Sequence, residues 1–302
     1  MRPFVFLFLA LAMSAASSMA QTSWRSMPDG PSVSLDVLGS IGDDLQDSGP
    51  SLPSGEIIEY TIGITAASMR LAGQVPLGQR WTLRGELPFA YIQYSSQGPP
   101  FYVDTYNGSD LAMGSPYLGA EVELVPTLTL EAGLRWPAPR LGLTSYEPRT
   151  YAPGADRSSA SWRPDASIAG QMTDPERYGA YWGADCGGVT SAVRFEPSIT
   201  PSVGARVRLA PALVCGYHVL VGYSAQAVVD LDHVGLSVGV VGQRFVSDTV
   251  RGPEYDVLPS LTANVGRTIG PVRPGFTAHL PLSKNYLSAD AVVGFSLDVP
   301  LR

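Results

Sequence analysis

The chain has 302 residues, 45% of them apolar and 16% charged, with 32 Gly, 26 Pro and a formal net charge of −7. That much apolar material can bury a large surface, which excludes disorder as the overall class and leaves one large domain or two small ones. Only Lys284 is a lysine, so an acidic chain of scattered arginines offers no basic face and nucleic acid is not an expected partner; two cysteines, Cys186 and Cys215, are too few for a disulfide scaffold or a Cys-rich zinc site, and no metal or other cofactor is expected.

In chain order, Arg2 precedes the apolar run Phe4 to Met13, which ends in small residues at Ser17-Ser18-Met19-Ala20. This pattern predicts a secretory signal peptide over 1–20, cleaved after Ala20. The mature chain, 21–302, then carries 19 basic and 27 acidic residues and does not begin with a lipoprotein cysteine. No later stretch approaches the roughly 20 apolar residues that a spanning helix needs, so contact with a membrane would have to be made by a β-barrel.

From about residue 56 onward polar and apolar residues alternate, and period two means strands. Trp81, Leu83, Leu87, Phe89 and Tyr91 share one face while Thr82, Arg84, Glu86 and Ala90 share the other. The split recurs at 128–136, at 203–209 and at 293–301. Turn signals at Pro76 to Gln79, Val125 to Thr127, Ser198 to Pro201, Asp230 to Asp232 and Gly270 to Pro271 then delimit twelve strands. They are expected over 32–39, 57–75, 80–94, 109–125, 128–137, 190–197, 202–210, 217–229, 233–247, 258–268, 272–281 and 286–301, with ten and fourteen as the bounds on the count. The five turns alternate with mostly longer connections at 40–56, 95–108, 138–189, 211–216, 248–257 and 282–285, as short periplasmic turns alternate with outer loops.

A secreted β-sandwich also alternates, and the distribution of charge separates the two architectures. The polar face collects Arg70, Arg84, Glu86, Glu121, Glu123, Glu131, Arg135, Arg194, Glu196, Arg206, Arg208, Arg273, His279, Asp290 and Asp298, while the opposite face is nearly free of charge. In a barrel the bare face meets lipid, and Trp81, Tyr91, Trp136, Tyr217 and Tyr223 stand at or near strand ends where aromatic girdles belong. The expected fold is therefore all-β: an antiparallel transmembrane β-barrel of about twelve strands. Its expected location is the bacterial outer membrane, with outer-membrane lipid and the barrel-assembly machinery as partners.

The segments Arg-Trp-Thr-Leu-Arg-Gly-Glu-Leu-Pro-Phe-Ala-Tyr at 80–91 and Ser-Asp-Leu-Ala-Met-Gly-Ser-Pro-Tyr-Leu-Gly-Ala-Glu-Val-Glu-Leu at 109–124 resemble outer-membrane barrels of the family named for the meta pathway of phenol degradation. The resemblance covers about residues 76–136 and implies a channel for hydrophobic or aromatic compounds. The chain departs from the usual outer-membrane ending, because its last residue is Arg302 rather than an aromatic.

The candidate lumen-lining residues are Arg84, Glu86, Glu121, Glu123, Glu131, Arg135, Arg194, Glu196, Arg206, Arg208, Arg273 and Asp290. They either line an aqueous pore or pair across strands and fill the lumen, since an unpaired buried charge is costly. Arg194, Arg206, Arg208 and Arg273 would favour anionic solutes if left free. The segment 138–189 is about fifty residues rich in Pro, Ser, Arg and aromatics, and is read either as a constriction loop or as a solvated surface loop. Cys186 and Cys215 fall in or beside neighbouring outer loops, so a disulfide between them is open.

A lipid-modifying barrel enzyme would need a His beside a Ser within reach of lipid. His218 and His279 fall on the lumen face and His233 in a turn, and no Gly-x-Ser-x-Gly, H-E-x-x-H or P-loop motif is present. His279 with Asp290 or Ser288 is the one catalytic pairing the last hairpin would allow. The expected function is a passive or weakly selective, non-enzymatic channel for small solutes, hydrophobic or anionic. A plugged structural or adhesive barrel is the alternative, and a lipid-modifying enzyme the more remote one.

Overall fold

Where side chains alternate between lipid-compatible and charged, only the pairing of each strand with two neighbours decides which face is enclosed. The protein is described from a computed structural model that covers residues 30–42, 44–51, 57–97, 107–138, 145–146, 166–174, 186–216, 218–231, 233–246, 257–282 and 289–301. The signal-peptide segment 1–20 and most of 138–189 lie outside the described residues.

The strands are β1 (Ser32–Ile41), β2 (Asp44–Ser51), β3 (Ile57–Pro76), β4 (Trp81–Gln97), β5 (Asn107–Met113), β6 (Tyr117–Val125), β7 (Leu128–Arg135), β8 (Ser145–Tyr146), β9 (Gly188–Phe195), β10 (Ser198–Thr200), β11 (Val203–Val214), β12 (His218–Leu231), β13 (Val234–Phe245), β14 (Val257–Arg267), β15 (Arg273–Pro281) and β16 (Ala291–Pro300). A helix, α1, spans Ala166–Thr173.

Twelve of these strands close a ring in the order β1-β3-β4-β6-β7-β9-β11-β12-β13-β14-β15-β16, every pair antiparallel. The seam is continuous, from Ser32 opposite Pro300 to Ile41 opposite Ala291. Closure satisfies the backbone of both terminal strands and removes the free sheet edges that lipid would not tolerate.

Four short strands extend or edge this wall. β2 continues β1 along the far half of the long β3, and β10 pairs with the start of β11. β5 and β6 form one wall strand broken at Gly114-Ser115-Pro116, where three residues oppose Leu87 and Pro88 of β4. The extra residue is a bulge, and it is held by Gly114 N–H donating to the Pro88 carbonyl at 2.8 Å. Among the described residues, the second edge of β5 pairs only with β8, at Gly108–Tyr146 and Ser109–Ser145.

These positions correct the sequence expectation in three places. The strand expected at 109–125 is interrupted. The strand expected at 202–210 runs to Val214, past Pro211, so the connection at 211–216 shrinks to a turn. Proline reads as a breaker, yet Pro211 remains opposite Val221 in the ladder with β12. The segment 138–189 also contributes a helix, for which its Pro- and Ser-rich composition gave no signal.

The outward face carries Leu71, Val75, Leu83, Leu87, Leu118, Leu134, Val193, Phe195, Leu209, Val238, Leu261, Phe276 and Leu280, all exposed in the isolated chain. An apolar belt on that scale is untenable in water. Trp81 and Trp136 stand at strand ends on the same face, and both are exposed. Asp36, Arg70, Glu86, Arg206 and Asp298 are buried on the inward face. Charge inside and hydrocarbon outside is the inverse of a water-soluble sandwich and fits a barrel in a bilayer.

Val238→Arg should therefore destabilise the barrel by about 2–4 kcal/mol if that position lies near the bilayer midplane. Urea titration of protein refolded into phospholipid vesicles measures this, and an unchanged midpoint would show that β13 does not face lipid.

Candidate functional site: the lumen

Period-two alternation turns every second side chain inward, and the closed ring brings those of β1, β3, β4, β6, β7, β9 and β11 onto one continuous arc. Asp36 pairs with Arg70, and Arg70 Nη1 lies 3.7 Å from Glu86. Arg135 Nη2 donates to Glu86 Oε2 at 3.2 Å. Arg84 bridges Glu121 at 3.0 Å and Glu131 at 3.9 Å. Arg194 reaches Glu121 and Glu196, Arg206 joins Glu196, and Arg208 lies 3.6 Å from Glu131.

Tyr117 joins the two halves of this web. Its hydroxyl donates to Glu131 Oε1 at 2.8 Å, and the Arg135 guanidinium carbon sits 5.0 Å from its ring centroid. The ring has room because Gly119 and Gly133 lie beneath it; a Cβ on Gly133 would come within 2.4 Å of the ring, and one on Gly119 within 2.0 Å of the hydroxyl.

Six arginines thus meet five carboxylates on one arc, each within ion-pair distance of an opposite charge. Pairing is what permits the burial, since removing one partner of such a web strands the other. The arginines that would have attracted anions are largely neutralised where they stand.

The remaining arc, β12 to β16, is built differently. Most of its inward face is neutral, with Ser224, Gln226, Gln243, Ser260, Thr262, Thr277 and Ser296 all buried, and with Asp298 and His279 among its buried ionisable groups. Asn264 donates to Ser237 Oγ at 2.9 Å and accepts from Thr277 Oγ1 at 2.6 Å. Arg273 stands apart from the web, 3.6 Å from Asp230.

Helix α1 lies inside the ring against the inward faces of β3 and β4. Ala169 and Met172 pack with Ile64, Ala66, Ala90, Ile92 and Tyr94, and Ala112 of β5 adjoins them. The Thr173 hydroxyl donates to Ser68 Oγ at 2.8 Å and also lies 2.6 Å from the Ala169 carbonyl. Asp174, which follows the helix, is buried. Alanine and serine on β3 and β4 leave the space that a helix needs.

Farther along the same segment Cys186 is disulfide-bonded to Cys215, their Cα atoms 5.1 Å apart. Cys215 occupies the tight turn after β11 with a φ of 54°. The bridge ties the end of the segment that bears α1 to the turn joining β11 and β12.

Of the sequence candidates, Arg84, Glu86, Glu121, Glu131, Arg135, Arg194, Glu196, Arg206 and Arg208 come together in the web. Glu123 and Asp290 do not. Glu123 is exposed beside the β6–β7 turn, and Asp290 is exposed because β16 begins at Ala291 rather than at 286. Among the described residues His279 faces Val292 across the ladder and its Nδ1 has no hydrogen-bond partner, so no pairing with Asp290 is formed through that atom. Ser288 lies outside those residues. His218 is buried edge-on to Phe245, and His233 is exposed in its turn.

Asp36 and Tyr117 were missed from the sequence, although parity with Ser32 and Ser34, and with Gly119 and Glu121, places each on the inward face. No periodic signal announced α1.

No family model matches the chain, and no curated protein does either. Among solved structures, the COG4313 outer membrane channel from Pseudomonas putida F1 superposes with a TM-score of 0.50 at 10% identity, covering 92% of this chain and 98% of that one. The Pseudomonas putida toluene transporter TodX gives 0.44 at 10% identity over 95% and 92%. The translocator domain of the autotransporter NalP from Neisseria meningitidis gives 0.45 at 12% identity over 90% and 88%. At these identities the first likeness establishes the fold, an antiparallel barrel of the outer-membrane type.

Glu121→Ala should cost about 3–5 kcal/mol by stranding Arg84 and Arg194. Glu121→Ala combined with Arg194→Leu should recover part of that loss, so a double variant no more stable than the single one would show that the pair is not coupled. Cys186→Ser should lower unfolding stability by about 2–4 kcal/mol through the freed loop, read as a shift in the heat-modifiable migration of the folded barrel; equal shifts with and without reductant in the parent protein would contradict the tether.

Proposed function

We propose that the protein is a passive channel for small solutes in the bacterial outer membrane, narrowed in this state by α1. The observation that carries the reading is the closed ring itself, apolar outside and polar inside, with a helix seated against its inner wall. The mechanism is diffusion through a lumen whose charges are held in mixed-sign pairs, so filtering depends on size and hydrogen bonding more than on net charge. No reaction and no cofactor enter it. The export signal at 1–20 belongs to this reading, as do outer-membrane lipid and the barrel-assembly machinery as partners.

The fold likeness to an outer membrane channel supports transport over catalysis. The resemblance of 80–91 and 109–124 to the phenol meta-pathway family supports hydrophobic or aromatic compounds as the solute class. An anionic solute has less support, because Arg194, Arg206 and Arg208 are each within reach of a carboxylate. A second reading, a barrel plugged for a structural or adhesive role, is favoured by the burial of Ala169, Met172 and Thr173 within the ring.

Planar-bilayer recordings of the mature chain, 21–302, and of the same chain lacking 166–173 separate the two. Ohmic steps that enlarge when the helix is deleted are the expected result. Silence from both, with folding and insertion verified, would replace the channel with the plugged barrel.

A further inference from the structure

Six ladder steps in either direction separate β12 from β3, so β12 faces the α1 berth from the opposite wall. On its inward side Ser224 and Gln226 are 3% and 4% exposed. Neither the Ser224 hydroxyl nor either amide atom of Gln226 has a hydrogen-bond partner among the described residues. Gln226 lies over Gly239, its register partner on β13; a Cβ there would stand 2.0 Å from the Ala225 carbonyl oxygen and 2.8 Å from Gln226 Cγ. Glycine at 239 is therefore what lets the amide lie along the wall. The same level continues through Thr262 on β14 to His279 on β15, buried and with Nδ1 also unpartnered.

The charges beside this row are already engaged. Arg206 and Arg208 sit opposite Gln226 and Ser224 in the ladder, and they pair with Glu196 and Glu131. What remains on offer is a set of neutral donors and acceptors. Burying such groups without partners costs stability, and folded chains avoid it except where a site requires it.

We propose that Ser224 and Gln226 form a solute site that takes a small neutral molecule bearing a carboxamide or hydroxyl group, with Thr262 and His279, two and three strands farther round the wall, as the next positions along the same row. A carboxamide presents one acceptor and two donors, the complement of the Gln226 side chain. An ion would find no unspent counter-charge here. A pure hydrocarbon would leave these polar atoms as they are and gain nothing from them. The proposal rests on the channel reading and narrows it, because it adds a hydrogen-bonding group to the solute.

Liposome swelling with acetamide, beside KCl conductance of the same full-length mature protein, tests it. Gln226→Met keeps the length of the side chain and removes both amide atoms; Ser224→Ala removes the hydroxyl; heat-modifiable migration verifies folding of each. The combined variant should slow acetamide entry roughly fivefold or more, the scale of two or three lost hydrogen bonds, while KCl conductance stays within about twofold. An unchanged acetamide rate would overturn the site and leave water as its only occupant. A parallel fall in both readouts would overturn it as well, showing a narrowed pore rather than lost recognition. A folded, inserted parent that passes neither acetamide nor KCl would remove the channel reading itself.

Discussion

The backbone of a strand in hydrocarbon must find every hydrogen-bond partner in a neighbouring strand, and that requirement governs the rest of this molecule. It is met by the pairing of β1 with β16 over all ten residues, from Ser32 opposite Pro300 to Ile41 opposite Ala291. Once the ring is closed each inward side chain is committed to a shared interior. Arg70, Arg84, Arg135 and Arg194 are then neutralised across strands, by Asp36, Glu86, Glu121 and Glu131, because their side chains are largely buried there.

Closure divides the interior into two walls of different chemistry. The arc from β1 through β11 is an ion-pair web whose members are locked by several partners at once. The arc from β12 to β16 is made mostly of hydroxyls, amides and glycines, with Asp298, His279 and Arg273 among them; some are paired with each other, as Asn264 is with Ser237 and Thr277, and some, such as Ser224 and Gln226, have no hydrogen-bond partner among the described residues. A web of paired charges is rigid and presents little net field. In the proposed solute site, the neutral groups of Ser224 and Gln226 are the ones that would meet a passing molecule.

The helix joins the two themes. It occupies an apolar berth on β3 and β4 that the alternation allows only because Ala66, Ser68 and Ala90 are small. Among the described residues its contacts with the wall include the Thr173 hydroxyl on Ser68 and the packing of Ala169 and Met172. The Cys186–Cys215 bridge keeps the end of its segment at the β11–β12 turn, which leads into the strand that carries Ser224 and Gln226. Helix and neutral wall thus stand on opposite sides of one ring, with the disulfide tying the helix-bearing segment to the turn that leads into that wall.

Alternation in the sequence was enough to determine the twelve wall strands, the side of each that bears charge and most of the residues that meet in the web, because in a strand residue parity alone assigns the face. It placed Glu86, Glu131 and Arg208 together without naming their partners, since register depends on which strands are neighbours. Parity assigned Glu123 and Asp290 to the inward face, yet both stay out of the web: Glu123, still opposite Thr129 in the ladder, is exposed beside the β6–β7 turn, and Asp290 precedes the first residue of β16. The break at Gly114-Ser115-Pro116, the run of β11 past Pro211 and the seating of α1 were decided only by tertiary structure. A bulge, a tolerated proline and a short helix each take their stability from the wall they contact, and no local pattern records a contact that the chain makes a hundred residues away.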